Sequence, residues 1–285
     1  MATYPIPYNK YINFATAFLN QETGMKKATI ITLLLMLAVN CRSQNFDDIC
    51  NNGRILVQRQ DYLRAREAFN NALSTAGNDS EKVYALSLLA HSLLLGGERE
   101  DALANCNKAL AIKPGNGLLL LLRANIYTAL DSLECALADC NTIIAAEPAN
   151  YDALYCRAMI YSRNNFDKAM EEFNTLLRMD PDDDRAKLGM VMLYQSSGKL
   201  GEALSLATIL IEQKPQIAEF YIARSNVERE LGQYELALLD VETAIGLQPE
   251  NASHYILQAI LYDNLGKTAL ATESRRKAEE LLRWE

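Results

Sequence analysis

An all-α chain built as a solenoid of helix-turn-helix units is predicted by three features of the sequence. One apolar pattern returns every 33 to 34 residues along most of the 285-residue chain. Ala and Leu dominate its interior, as expected of helices that pack closely. Gly and Pro are few, 13 and 7, and fall at matching points of successive periods, where they punctuate helices instead of interrupting them.

The stretch 117–150 shows the unit most clearly. Leu120, Arg123, Ala124 and Tyr127 mark a first amphipathic helix, Ala136, Cys140 and Ile143 a second, and Pro148 closes it. One period earlier stand Ala102, Cys106, Ala109 and Pro114; one period later, in a frame one residue shorter, stand Ala169, Phe173, Leu176 and Pro181. Taken in order, the expected units are 46–79, 83–116, 117–150, 151–183, 184–217, 218–251 and 252–285, an array over 46–285. A slightly longer connection precedes Val83, and the first unit closes with Gly77 in place of Pro. The fourth unit lacks one residue in its inner turn. Asn164 and Asn165 stand there where Gly is usual, and Asn tolerates a left-handed backbone. In the sixth, Glu228 replaces an expected aromatic. The last helix, from Thr268, carries Glu273, Arg275, Arg276, Lys277, Glu279, Glu280 and Arg283, the polar cap that a terminal repeat needs.

With this period and these residue types the chain resembles the tetratricopeptide repeat (TPR) family. The resemblance implies a right-handed α-solenoid of about seven repeats in which small residues such as Ala124, Ala136, Ala158, Ala169, Ala203, Ala237 and Ala259 let helices approach. Tyr127, Tyr161, Tyr194 and Tyr262 fill the space between them. Gly97, Gly198, Gly232 and Gly266 make the inner turns, and Pro114, Pro148, Pro181, Pro215 and Pro249 end the second helices.

Residues 1–43 read as an address. Met25, Lys26 and Lys27 precede a short apolar run, Ala28 to Val39, too short to cross a hydrocarbon core of roughly 30 Å as a helix. Residues 25–43 are therefore expected to be a bacterial signal peptide, and 1–24 a mis-start or a disordered extension. Cys41 and Ser43 suit cleavage before Gln44. Lipidation at Cys41 is an alternative, though Asn40 fits a lipobox poorly, and an uncleaved anchor is a third. Each predicts export, with the protein in the periplasm or at the outer membrane. Five cysteines follow Gln44: Cys50, Cys106, Cys135, Cys140 and Cys156, with no CxxC pair. Cys106 and Cys140 share a repeat slot that wants a small buried side chain, so core thiols are expected. A disulfide among Cys135, Cys140 and Cys156 is compatible with an oxidising compartment.

The formal net charge is −8; the first 43 residues hold four of 28 basic and one of 36 acidic residues, which leaves 24 against 35 and a net −11. That balance offers nucleic acid no basic face. The histidines, His91 and His254, are far apart, and no metal-ligand spacing, phosphate loop or nucleophile elbow is present. Asp180, Asp182, Asp183 and Asp184 surround Pro181 but lack the Gly and distal Glu of a calcium loop, and helix capping explains them. No enzyme activity, metal or cofactor is expected.

In the family the resemblance names, partners bind the concave wall of first helices at the second, fifth, ninth, twelfth and thirteenth repeat positions. Carried onto this sequence, the candidate groove comprises Tyr84, His91, Leu94, Leu95, Leu118, Leu121, Asn125, Tyr155, Met159, Leu188 and Met192. Asn125 and Asn226 match the Asn slot of chaperone-adaptor domains that clamp a terminal carboxylate, but the flanking Lys and Arg slots are Leu or Ile, so that activity is not implied. An apolar wall of this kind suits an extended or helical peptide. Its alternative role is superhelical packing alone. The expected function is a non-catalytic scaffold that binds a protein or peptide in the cell envelope, with membrane contact only through a lipidated Cys41 or an uncleaved anchor; the alternative is an accessory subunit that positions an envelope enzyme or transporter.

Overall fold

A computed structural model describes residues 45–284. The expectations placed on residues 1–43 lie outside these. The described residues form fourteen α-helices and no strand, arranged as seven antiparallel pairs. They are α1 (45–58) with α2 (Tyr62–Thr75), α3 (Asp79–Leu95) with α4 (Arg99–Ile112), and α5 (Gly117–Ala129) with α6 (Leu133–Ala146). Then follow α7 (Tyr151–Tyr161) with α8 (Phe166–Met179), α9 (Asp184–Ser196) with α10 (Leu200–Gln213), α11 (Ala218–Glu230) with α12 (Tyr234–Leu247), and α13 (Ala252–Asn264) with α14 (Thr268–Trp284). No helix of the described residues is long and apolar enough to cross a membrane.

Each helix packs on its chain neighbours, and first helices also meet one another across pairs, as α3 meets α5, α5 meets α7 and α9 meets α11. The first helices therefore line one wall. The array curves far enough that Gln60, in the α1–α2 turn, shares an open hollow of about 580 Å³ with Pro249 to Ser253 and Leu282.

Local chemistry sets the ends of the helices. Five second helices stop two residues before a Pro, and the residue between, such as Lys113, Glu147 or Gln248, has left the helical region with ψ of 77°, 86° and 72°, as a residue preceding Pro must. Two residues after the Pro comes a cap. Asn116, Asn150, Asp183 and Asn251 each accept a backbone N–H of the first turn they open, whereas Ile217 makes no such bond. Ahead of α3 there is no Pro, and the loop expected before Val83 is one more helical turn. Asn78 accepts from Glu81 N at 2.9 Å while the Glu81 carboxylate accepts from Gly77 N and from the Asn78 amide, a reciprocal capping arrangement.

In six of the seven pairs the inner turn holds one residue at positive φ: Gly97, Gly198, Gly232 and Gly266, and also Gln60 at 57° and Asp131 at 59°. Asn164 and Asn165 were expected to do the same and do not. The shortened turn has no left-handed residue; Asn165 sits at φ −146° and caps α8 by accepting from Lys168 N at 3.0 Å. The missing residue is the one that would have turned left, so the asparagines serve as cap, not as hinge.

The core consists of what these pairs enclose. Ala65, Ala124, Ala136, Ala158, Ala169, Ala203 and Ala237 are fully buried, with Phe69, Phe173 and Phe220 the largest fully buried side chains. Helix pairs are also tied by a polar clasp. Arg123 on α5 donates to both carboxylate oxygens of Asp139 on α6, at 2.8 and 2.7 Å, and to Asn107 on α4 at 3.0 Å. Arg157 reaches Glu172 and Asn141, both at 2.7 Å, and Arg224 repeats the forked contact with Asp240 at 2.7 and 2.8 Å. A planar guanidinium suits this two-point grip on a carboxylate. At the chain's end the α14 charges face outward. Arg275 bonds Asp263 and Arg276 bonds Glu280, while Ala271, Ala278 and Leu281 are buried beneath.

Candidate functional site

On the wall of first helices, three successive helices enclose a cavity of about 130 Å³. Its lining comes from α5 (Leu121, Asn125, Thr128), α7 (Asp152, Tyr155, Cys156, Met159, Ile160) and the first turn of α9 (Arg185). Leu121, Asn125 and Thr128 recur at the three- and four-residue spacing that keeps side chains on one helical face. Asp152, Tyr155 and Met159 do the same one repeat later.

Arg185 closes one side. Asp183 holds the start of α9 by accepting from Arg185 N and Ala186 N at 2.9 and 3.1 Å. From there the guanidinium donates to Asp152 at 2.9 Å and lies 4.0 Å from the centre of the Tyr155 ring and 5.5 Å from that of Tyr151. Tyr155 meets Phe173 edge-on at 6.0 Å and is near-parallel to Tyr151 at 6.2 Å. Its ring is therefore fixed on both sides. With Asp152 and Arg185 neutralising each other, the lining carries no net charge, and its floor is aliphatic and sulfur-bearing.

At the floor, the Cys156 thiol donates to Asn125 Oδ1 at 3.6 Å. The neighbouring Cys140 thiol, followed by the nearby Arg185 charge, holds the Cys156 thiol below its ordinary value against the effect of burial. Asn125 is exposed, and its amide N–H₂ has no partner among the described residues. Thr128 is committed, its hydroxyl donating to Ala124 O at 2.7 Å. Further polar groups of the wall pair across repeats, Arg163 with Thr128 O at 2.9 Å and Gln195 with Glu230 at 2.6 Å.

Of the residues expected in the groove, Leu121, Asn125, Tyr155 and Met159 are brought together at this cavity. Tyr84, His91, Leu94, Leu95, Leu118, Leu188 and Met192 do not line it. Leu118 is the most open of them, 79% exposed, and Met192 is 51% exposed. Tyr84 leans on Phe46 at 6.4 Å, and Leu94 and Leu188 rest half-buried against the core. The cavity also recruits Thr128, Asp152, Cys156, Ile160 and Arg185. Opposite charges one period apart at the second repeat position, Asp152 and Arg185, were a readable signal of the closing ion pair.

The chemistry away from the cavity is structural. His91 is exposed on α3 and His254 buried on α13. Among the described residues no group of three His, Cys, Asp or Glu is disposed to hold a metal ion. The acidic run is occupied by capping and ion pairs: Asp180 accepts from Asp182 N, Asp183 caps α9, and Asp184 accepts from Lys214 at 2.6 Å.

Comparison with known proteins agrees with this architecture. Three family models, each described as a tetratricopeptide repeat, match residues 50–117, 161–226 and 218–251. A tetratricopeptide repeat protein of Parabacteroides merdae ATCC 43184, solved by crystallography, superposes with a TM-score of 0.61 at 25% identity, over 84% of this chain and 93% of its own. PilW, a type IV pilus biogenesis factor, shares the fold with a TM-score of 0.51 at 19% identity, over 71% of this chain and 94% of its own. Among curated sequences, cellulose synthase operon protein C of Pseudomonas fluorescens (strain SBW25) is 27% identical over 116 residues, 41% of this chain. The match spans only 9% of that much longer protein. The period, the paired helices and these matches together place the chain in the tetratricopeptide repeat family.

Proposed function

We propose that this protein is a non-catalytic interaction module that acts in the cell envelope and holds a peptide segment of a partner protein along its wall of first helices. The observation that carries the reading is the neutral cavity formed by Leu121, Asn125, Tyr155 and Met159, with exposed Leu118 and Met192 elsewhere on the same wall. An apolar hollow with one unpartnered amide suits a polypeptide, because a side chain fills the hollow while the amide donates to a backbone carbonyl. Export rests on the basic-then-apolar run from Met25 to Val39. A photo-crosslinking residue at position 118, exposed on the same wall, should capture a partner in the native cell. The double variant Leu121→Asp, Tyr155→Asp should abolish that capture while its helical circular dichroism stays at the wild-type level. Undiminished capture by the folded double variant would refute the groove.

A second reading is favoured by the match to cellulose synthase operon protein C. In it the array is an accessory subunit that positions an envelope enzyme complex. Purification of a stoichiometric membrane complex that survives the Leu121→Asp, Tyr155→Asp change would select it.

A further inference from the structure

The junctions between consecutive repeats are built on two facing slots, the eighth position of a second helix and the sixth position of the next first helix. At the α8–α9 junction they hold Phe173 and Gly189, and a Cβ placed on Gly189 would stand 2.4 Å from the Phe173 ring. At α10–α11 they hold Ala207 and Ala223, members of one core cluster, and at α4–α5 Cys106 and Leu122. The two slots therefore face each other closely at α8–α9 and fall in one core cluster at α10–α11 and α4–α5. At α6–α7 both are cysteines, Cys140 and Cys156, the one junction among the described residues where this is so. They share a cluster with Ala124, Ala136 and Ile160, and both are free thiols.

We infer that Cys140 and Cys156 form a dithiol–disulfide site, oxidised by small or protein disulfides, that staples the third repeat to the fourth beneath the groove cavity. The two thiols are not equivalent. Cys140 is fully buried, whereas Cys156 is 8% exposed and lines the cavity, so an incoming disulfide meets Cys156 first. The interaction between the two thiols, which lowers Cys156 and raises Cys140, favours the same order. Cys156, its proton released to water, attacks one sulfur of the oxidant as thiolate, forming a mixed disulfide and expelling one thiolate, which takes that proton up as a thiol. Cys140 then attacks the Cys156 sulfur, passing its proton to the second departing thiolate. The protein dithiol loses two electrons and two protons, and the oxidant disulfide gains them as two thiols. Closure also removes the S–H that Cys156 donates to Asn125 Oδ1, so the amide on the cavity wall is released when the staple forms. The inference stands independently of what the groove holds.

The test uses the native full chain and oxidised glutathione, with peptide mass mapping under non-reducing conditions. The expected product is a Cys140–Cys156 linked peptide. Exposed Cys135 reports how far the reagent has reacted. Cys140→Ala, a residue the slot accepts at Ala207, should trap glutathione on Cys156; Cys156→Ala should leave Cys140 unmodified. Recovery of Cys140 and Cys156 as thiols after Cys135 has reacted fully, or their linkage only in denaturing urea, would overturn the site.

Discussion

Arg185 and Tyr155 stack across the fourth and fifth repeats, guanidinium to ring at 4.0 Å, and Asp152 accepts a hydrogen bond from the same guanidinium at 2.9 Å. Two attractions act on one side chain, and their sizes differ. The ion pair is more than half exposed on both sides, a setting in which such pairs contribute roughly 0 to 1 kcal/mol. A stacked guanidinium on a held aromatic ring contributes about 0.5 to 2 kcal/mol.

Stacking should therefore outweigh charge at this closure. Arg185→Lys, which keeps the charge and loses the planar face, should lower stability in urea by about 0.5 to 1 kcal/mol, and Arg185→Ala by somewhat more. Asp152→Asn should stay within about 0.5 kcal/mol of wild type. The reverse ranking, with Asp152→Asn the costlier change, would show that the ion pair holds Arg185.

Gly189 gives a contest of signs. In a helix interior Gly→Ala ordinarily stabilises by roughly 0.5 to 1 kcal/mol. Here the added methyl would stand 2.4 and 2.6 Å from two ring atoms of Phe173, which is fully buried and cannot yield, and overpacking costs about 1 to 3 kcal/mol. Gly189→Ala should thus be net destabilising by about 1 to 2 kcal/mol, and Phe173→Leu in the same chain should erase most of that penalty. Gly246→Ala on α12, where nothing lies within 4 Å, should be neutral or stabilising. Thermal melts of the three variants, with wild type and Phe173→Leu alone as references, decide the matter.

These cases mark what could be read from the sequence and what could not. The period, the Pro stops and the Gly turns are local, so the all-helical class and the pairing of consecutive helices are legible in the sequence. The capping pair Asn78–Glu81 is equally local, and it starts α3 one turn ahead of the Val83 at which the repeat frame places it. Asn164 and Asn165 carry a residue type that suits a left-handed turn, but the deletion beside them removes the position that would turn left. At the cavity, Leu121, Asn125, Tyr155 and Met159 stand at the repeat positions from which a groove is expected. Cys156 and Ile160 lie outside those positions and enter the cavity because α5 and α7 leave a gap between them. The exchange of Phe173 against Gly189, and of Cys140 against Cys156, is a relation between slots on different helices. It becomes visible only once the helices are stacked.

Glu228 shows how one departure from the repeat pattern becomes a dependence on pH. It occupies the slot that Tyr127, Tyr161, Tyr194 and Tyr262 fill elsewhere, is buried, and has a carboxylate oxygen with no partner. Arg224, 4.0 Å away, is committed to Asp240 by two shorter contacts. Burial, and then the Asp240 charge, push the Glu228 carboxyl from 4.5 up to about 7. Between those values the folded chain keeps the proton that the unfolded chain releases, so the protonated carboxyl's contribution is complete below about pH 4.5 and is lost as pH rises through about 7. Glu228→Gln mimics the neutral form. It should match wild type near pH 5 and exceed it at pH 8 by on the order of 1 to 3 kcal/mol. Glu228→Tyr, the residue of the sister repeats, should remove the same slope. Urea unfolding of the three chains across this range is the measurement, and parallel curves for wild type and Glu228→Gln would mean that Glu228 titrates like a solvated carboxylate.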